Sequence, residues 1–204
     1  MRIKYAFKMS FIWESEVIKI IYLIRHGLDD ESYIGGYSEV DLMDEGIEQI
    51  ERSSLWLKNS QLNFNKIYTS DIKRAVTSSE ILNRYFNLAV IKNSEFRELD
   101  KGILNGLKKQ IAIEKYPEFI NIDDINLRYP GGESMYDLYC RIKKLLSNIS
   151  KYDKSLIVTH RGVINMMYVI LGGDDLNMNK ERYGVEHASI HELDLVKSRI
   201  RRIR

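Results

Sequence analysis

The chain has 204 residues with 31 basic and 29 acidic side chains, a formal charge of +2 that excludes a bulk polyelectrolyte partner but leaves room for a local basic pocket. Its hydrophobic fraction of 44% suits a globular core. The single cysteine, Cys140, excludes a disulfide framework and makes a cytoplasmic location the expectation.

Trp13, Glu14 and Glu16 interrupt the early apolar residues, which argues against a signal peptide. No uninterrupted apolar run approaches the ~20 residues of a membrane span. Residues 1–16 read as an N-terminal extension and 17–204 as a single domain, because the two prolines, Pro117 and Pro130, and the absence of low-complexity linkers leave no boundary. Residues 17–24 form a continuous apolar run rich in β-branched residues, the pattern of a strand buried on both faces. A loop with Gly35 and Gly36 follows, then a helix over 44–58 with Ile47, Ile50 and Leu57 on one face. Residues 66–69 read as a short strand. Ser70 or Asp71 then caps a helix reaching about residue 86, with Ala75, Val76, Ser79, Leu82 and Phe86 inward. A strand is expected over 88–92. Gly131 and Gly132 precede a helix over 134–149, whose stripe is Met135, Leu138, Ile142, Leu145 and Ile149; Ser134 and Asp137 have the spacing of a capping box. Residues 155–159 form another buried strand, and a helix over 162–171 is stopped by Gly172 and Gly173. Residues 188–195 and 198–203 alternate like two strands of a hairpin. Strands alternating with helices predict a three-layer α/β/α sandwich around a mostly parallel sheet, with one antiparallel edge strand. In the terminal "RIRRIR" the alternation of Arg with Ile200 and Ile203 fits a solvated hairpin face better than a nucleic-acid site.

Two of the four histidines stand in matching contexts. "YLIRHG" and "LIVTHRG" place His26 and His160 at the carboxyl ends of apolar strands, the edge of an open α/β sheet where ligands bind. Taken singly, each could be a satisfied structural histidine; together, beside Arg25, Gly27, Arg161 and Gly162, they point to a site. Gly27 would let a backbone N–H approach a ligand with no Cβ in the way. Arg74, one turn into the helix after "IYTSD", can reach the same edge, although alone it reads as a solvated arginine. His187 and His191, near the last hairpin, read as structural or as residues of a pocket rim, and Tyr37 and Arg161 are candidates for substrate contact. A phosphoester suits such a set. Arginine's planar fork meets phosphoryl oxygens bidentately. A neutral imidazole can attack phosphorus, with its other nitrogen held as N–H by a backbone carbonyl near Gly27. A second histidine can be cationic and stabilise the transferring oxygens. Arginines already neutralise the charge, so no metal and no cofactor are required, and no convincing metal spacing occurs.

"LIRHG" (23–27), "LMDEGIEQ" (42–49), "IYTSDIKRAVTSSEIL" (67–82), "FRELDKGILNG" (96–106), "YPGGES" (129–134) and "VTHRGVI" (158–164) occur in the order found in the histidine phosphatase superfamily, which the chain resembles over almost all of 17–203. The resemblance implies a phosphoglycerate-mutase-like fold. It implies His26 as the nucleophile that forms a phosphohistidine, and Arg25, Arg74 and His160 around the phosphoryl group. Glu98 would be the acid that protonates the leaving oxygen; without the resemblance, Glu98 reads as a surface carboxylate beside Arg97 or Lys101. The chain departs from the family pattern at Leu28, where the family often has an acid, at Arg161-Gly162, and in the short stretch from Asn105 to Gly131. These departures favour a phosphatase acting on a small phosphorylated metabolite over a cofactor-dependent phosphoglycerate mutase. A phosphate-binding module with little turnover is the third reading. No nucleic-acid or membrane partner is expected, and the oligomeric state, a homodimer included, stays open.

Overall fold

The computed structural model of the chain describes residues 19–204 except 121, 178 and 180. The expected extension over 1–16 and a strand start at 17 lie outside these residues. Among the described residues the strands are β1 (Ile20–Arg25), β2 (Lys66–Thr69), β3 (Val90–Lys92), β4 (Ser155–Thr159), β5 (Ile190–Asp194) and β6 (Arg199–Arg202). The helices are α1 (Asp44–Asn59), α2 (Lys73–Asn83), α3 (Lys109–Lys115), α4 (Met135–Ser147) and α5 (Arg161–Gly172).

The strands form one sheet in the order β3-β2-β4-β1-β5-β6. The first four run parallel, and β5 pairs antiparallel to both β1 and β6. The antiparallel edge predicted from the closing hairpin is thus built by β5 and β6. Along β1 the side chains alternate between two apolar layers. Ile21 and Leu23 join Leu138, Ile142, Val163 and Met167 of α4 and α5 on one face. Tyr22 and Ile24 join Ile50, Leu57, Ala75 and Leu82 of α1 and α2 on the other. This is the expected three-layer sandwich, with the sheet apolar on both sides as a covered parallel sheet must be.

α4 starts as its sequence predicts. The Asp137 N–H donates to Ser134 Oγ at 3.0 Å, and the Ser134 N–H donates to Asp137 Oδ2 at 2.8 Å, closing a capping box. α5 stops at Gly173, whose φ of +67° is the left-handed cap that glycine adopts freely. α2 differs from expectation. It begins at Lys73, with Ile72 at the N-cap position and no side-chain cap. Both predicted caps are engaged elsewhere: Ser70 Oγ is 2.8 Å from His160 Nε2, and Asp71 takes two hydrogen bonds from Arg97. Its buried face turns accordingly, with Arg74, Ser78 and Ile81 buried and Val76 only half-buried. Two of the three arginines of β6 meet acids, Arg201 on Glu192 and Arg202 on Glu186, both at 2.7 Å, while Ile200 is buried, as a solvated hairpin face requires.

Candidate active site

The register of the sheet assembles the site. Arg25 pairs with Thr159 and Thr69 with Val158, so the residues next in line on β1, β4 and β2 come side by side: His26, His160 and Ser70. The His26 N–H donates to Thr159 O at 3.0 Å and the Ser70 N–H to Val158 O at 2.9 Å, which extends the ladder one residue past the strands. β5 runs the other way, so its start lies at this same edge. Arg25 N–H donates to Ser189 O and Ala188 N–H to His26 O, each at 3.2 Å, and His187 is thereby delivered beside His26, ring centroids 5.7 Å apart.

His26 is buried, 3% exposed, and its hydrogen bonds define its tautomer. Nδ1–H donates to Gly27 O at 2.7 Å, the backbone carbonyl expected for this job. Nε2 receives the Nε–H of Arg74 at 3.1 Å and is therefore the nitrogen with the lone pair. Burial first, then Arg74, His160 and Arg25, hold the imidazole well below its usual pKa, so it stays neutral.

Arg74 is 2% exposed and anchored by its two terminal nitrogens, Nη1 to Ser38 Oγ at 3.1 Å and Nη2 to Gly36 O at 2.9 Å. Its Nε edge faces His26 and, at 3.4 Å, Asp29 Oδ2. Arg25 is 5% exposed; its Nη1 donates to Val185 O at 2.9 Å and its Nη2 to His187 Nε2 at 2.5 Å. Burial above all, with Arg161 nearby, lowers its pKa to about 10, which still leaves it charged at neutral pH. His160, fully buried at the N-cap of α5, sets its ring 5.1 Å from that of His26. Ser70 Oγ accepts the Ile72 N–H at 3.3 Å and lies 2.8 Å from His160 Nε2. The buried Nδ1 of His160 and Arg25 Nε have no hydrogen-bond partner among the described residues. Unpartnered buried nitrogens of this kind near His26 can meet the oxygens of an anion. The cationic His160 anticipated from sequence is opposed here: burial, then Arg74, Arg25 and Arg141, push its pKa well down.

Glu98 lies on the same cavity, its Oε1 accepting the Leu99 N–H at 2.9 Å and its Oε2 the Gly162 N–H at 3.1 Å. A Cβ at Gly162 would come within 2.2 Å of Glu98 Oε1 and so push the carboxylate from this position. The loop bearing Glu98 is held from behind by Arg141, which donates to Arg97 O at 3.0 Å and Glu98 O at 2.9 Å while pairing with Glu133 at 2.8 Å. Arg161 lines the cavity further out, its side chain 30% exposed and paired with Glu181 at 2.8 Å.

Gly27 requires a correction. It does not present a free N–H to a ligand: that N–H donates to Ser78 Oγ at 3.2 Å and its carbonyl holds His26. A Cβ on Gly27 would lie 2.2 Å from Gly46 O, so the glycine is there because α1 packs against this turn. Tyr37 lies under Arg97, whose guanidinium carbon is 5.0 Å from the ring centre, and is not among the residues lining the cavity. His191 is structural, with Nδ1 on Tyr168 OH and Nε2 on Ser189 Oγ, each at 2.9 Å. His187, read from sequence as structural or as part of a pocket rim, stands inside the site beside His26 and Arg25. Asp29 is the site residue that sequence reasoning did not single out.

The ligating atoms of His26, Asp29 and His187 lie within 4.8 Å of one another. Both imidazole lone pairs already face guanidinium groups, however, and a metal ion here would meet two fixed positive charges. The surroundings suit an anion. The cavity, about 250 Å³, is lined by Arg25, His26, Asp29, Arg74 and Glu98, by apolar Met135, Leu138, Met166 and Val169, and by basic Lys101, Lys109 and Arg182. Among the described residues no helix is long and apolar enough to cross a membrane.

An α/β sandwich with a buried neutral histidine among arginines at its strand ends defines a phosphoryl-handling site. The chain belongs to the histidine phosphatase superfamily (branch 1), whose family model matches residues 21–203. It is 29% identical to phosphoserine phosphatase 1 of Hydrogenobacter thermophilus over 170 residues, 79% of this chain and 79% of that protein. It is 28% identical to a 2,3-bisphosphoglycerate-dependent phosphoglycerate mutase of Methylorubrum extorquens over 170 residues, 76% and 80% of the two chains. The crystal structure of a putative alpha-ribazole-5'-P phosphatase from Escherichia coli superposes with a TM-score of 0.75 at 19% identity, covering 90% of this chain and 94% of that one, and shares the fold.

Proposed function

We propose that the chain is a metal-independent phosphomonoester hydrolase that passes through a phosphohistidine on His26 and acts on a small phosphorylated metabolite. The observation that carries this reading is the state of His26: Nδ1–H committed to Gly27 O, Nε2 unprotonated, and cations on either side. Nε2 attacks phosphorus in line with the ester oxygen. Arg25 and Arg74 meet the charge spread over the equatorial oxygens, and His160, with a proton on Nδ1, adds a donor. Glu98, carrying a proton, gives it to the leaving alkoxide, which is worth ~10²–10⁴-fold for such catalysis. In the second half Glu98 takes a proton from the water that attacks the phosphohistidine, and inorganic phosphate departs. The modest cavity volume, about 250 Å³, supports a small substrate, and residues 17–204 read as one catalytic unit.

The test is hydrolysis of p-nitrophenyl phosphate in EDTA, with acid-quenched trapping of labelled phosphohistidine. Wild type should turn over and trap label, and His26→Ala should do neither. Equal rates for the two proteins across a substrate panel sink the proposal. The likeness to a bisphosphoglycerate-dependent mutase keeps a second reading in view, and isomerisation of phosphoglycerate stimulated by bisphosphoglycerate would favour it.

A further inference from the structure

One carboxylate stands where a phosphate would be expected to tolerate none. Asp29, three residues past His26 and 9% exposed, lines the cavity. Its Oδ2 is 3.4 Å from Arg74 Nε, the same nitrogen that donates to His26 Nε2. Its Oδ1 is 3.8 Å from His187 Nε2. Because Ser38 and Gly36 engage the far nitrogens of Arg74, the Nε edge is the part turned toward the nucleophile, and Asp29 competes for that edge.

We infer that Asp29 is a proton gate on the phosphate site: ionised, it occupies the Nε edge of Arg74 and repels a phosphoryl dianion; protonated, its carboxyl donates a hydrogen bond to a non-bridging phosphoryl oxygen. The inference rests on the reading that His26 receives a phosphoryl group. One proton is taken from solvent when the anion binds and returned when phosphate leaves, so nothing is consumed over a turnover.

The groups facing Asp29 come from four segments. Arg74 on α2 and Arg25 at the end of β1 favour its anion, as would His187 ahead of β5 if it were protonated. Glu31, in its own loop and 4.0 Å from His187 Nε2, disfavours it, and His26 is neutral. Burial outweighs the cations and raises the Asp29 pKa from its ordinary value. An arriving dianion raises it further, since like charges cannot both be held in one desolvated site. The sign follows. The gate is open below the raised pKa, and affinity is lost as pH rises through it.

The test compares wild type with Asp29→Asn, whose amide has the same shape and donates a hydrogen bond at every pH. The ratio of kcat/KM on p-nitrophenyl phosphate, Asp29→Asn over wild type, should rise about tenfold or more between pH 5 and pH 8, because a fixed charge a few ångströms from the anion is removed. The substrate's own ionisation cancels in that ratio. Calorimetry of inorganic phosphate binding at pH 7 in two buffers of different ionisation heat should show wild type taking up about one more proton than Asp29→Asn. A pH-independent ratio overturns the inference, whether the variant is as active as wild type or uniformly impaired; the latter would make Asp29 only a brace for Arg74. Equal proton uptake, or no phosphate binding, also overturns it. If wild type binds phosphate with the extra proton but turns over no ester, the gate stands and the hydrolase reading falls. Asp29→Ser, with thermal melts of all three proteins, covers an Asn variant that folds poorly.

Discussion

His26 is kept neutral by burial and by neighbouring positive charge, and this fixes how the enzyme should respond to acid. A histidine with an ordinary pKa would be lost as a nucleophile when pH falls through about 6.5. Here the neutral form persists well below that value. The profile of kcat/KM should therefore show no falling inflection near 6.5 on the acid side; an inflection there that vanishes in His160 or His187 variants would show that the cluster, not His26, titrates. Replacing His26 with Ala should cost on the order of 10³-fold or more, as loss of a nucleophile does. Gly27 is the second lesson at this scale. Its carbonyl selects the tautomer of His26, and its missing Cβ admits the carbonyl of Gly46. The clash is reciprocal, since a Cβ on Gly46 would lie 2.1 Å from Leu28 O. Gly46→Ala, 20 positions away in sequence from His26, should destabilise by on the order of 3 kcal/mol, as overpacking against backbone does, and lower kcat by moving the turn. Melts and kinetics of that single variant check both effects.

Elements place Glu98 as well as His26. Glu98 lies on a loop, yet α4 reaches behind it through Arg141, whose guanidinium serves two loop carbonyls and the Glu133 carboxylate. Arg141→Met should leave Glu133 without its partner and cost about 1–3 kcal/mol. It should lower kcat more than it raises KM, because the loosened loop presents the acid and not the phosphate; a larger rise in KM would show that Arg141 acts through the phosphate end instead. Much of this arrangement is legible in the chain. Apolar runs that end in Arg25-His26 and in His160-Arg161 show that polar chemistry sits at the strand ends, and the stripe of α4 is spaced as a helix must be. Ser70 is harder to read, because a serine before a helix looks like a cap until His160 is known to lie beside it. Nothing local reveals that α1 approaches Gly27 or that Asp29 turns toward Arg74. Such placements come from packing between distant segments. α3 escapes prediction because seven residues with only Ala112 buried carry too little periodicity.

For the whole molecule, all four histidines are unusually hard to protonate. Burial above all puts His187 at about 3 and His191 at about 4, and holds His26 and His160 well below 6.5. The unfolded chain binds these protons near pH 6.5 and the native one does not. Stability therefore rises with pH across the window from about 4 to 6.5 and is lost as pH falls through it. Each histidine accounts for about 2 kcal/mol between pH 7 and pH 5. Two of them would already be a large part of a typical 5–15 kcal/mol. Asp29, raised, works in the opposite direction for a single group. Urea denaturation at pH 7 and pH 5 should show a markedly lower midpoint at pH 5. If the midpoints coincide, the histidines are not protonation-resistant as a group. The proposed gate favours acid and the fold disfavours it, so activity should peak in a narrow band bounded by unfolding below and by anion repulsion above.

The reversed direction of β5 has a last consequence, in time rather than in space. The strand that leads into His26 is made early, but Arg25 finds its carbonyl partner in Val185, 160 residues later. A chain emerging from the ribosome can build the parallel part of the sheet first. It cannot close the anion site until β5 lies alongside β1. Closing so long a loop is entropically costly and slow. Nascent or prematurely terminated chains should therefore carry the whole "LIRHG" segment and still have no working phosphate site.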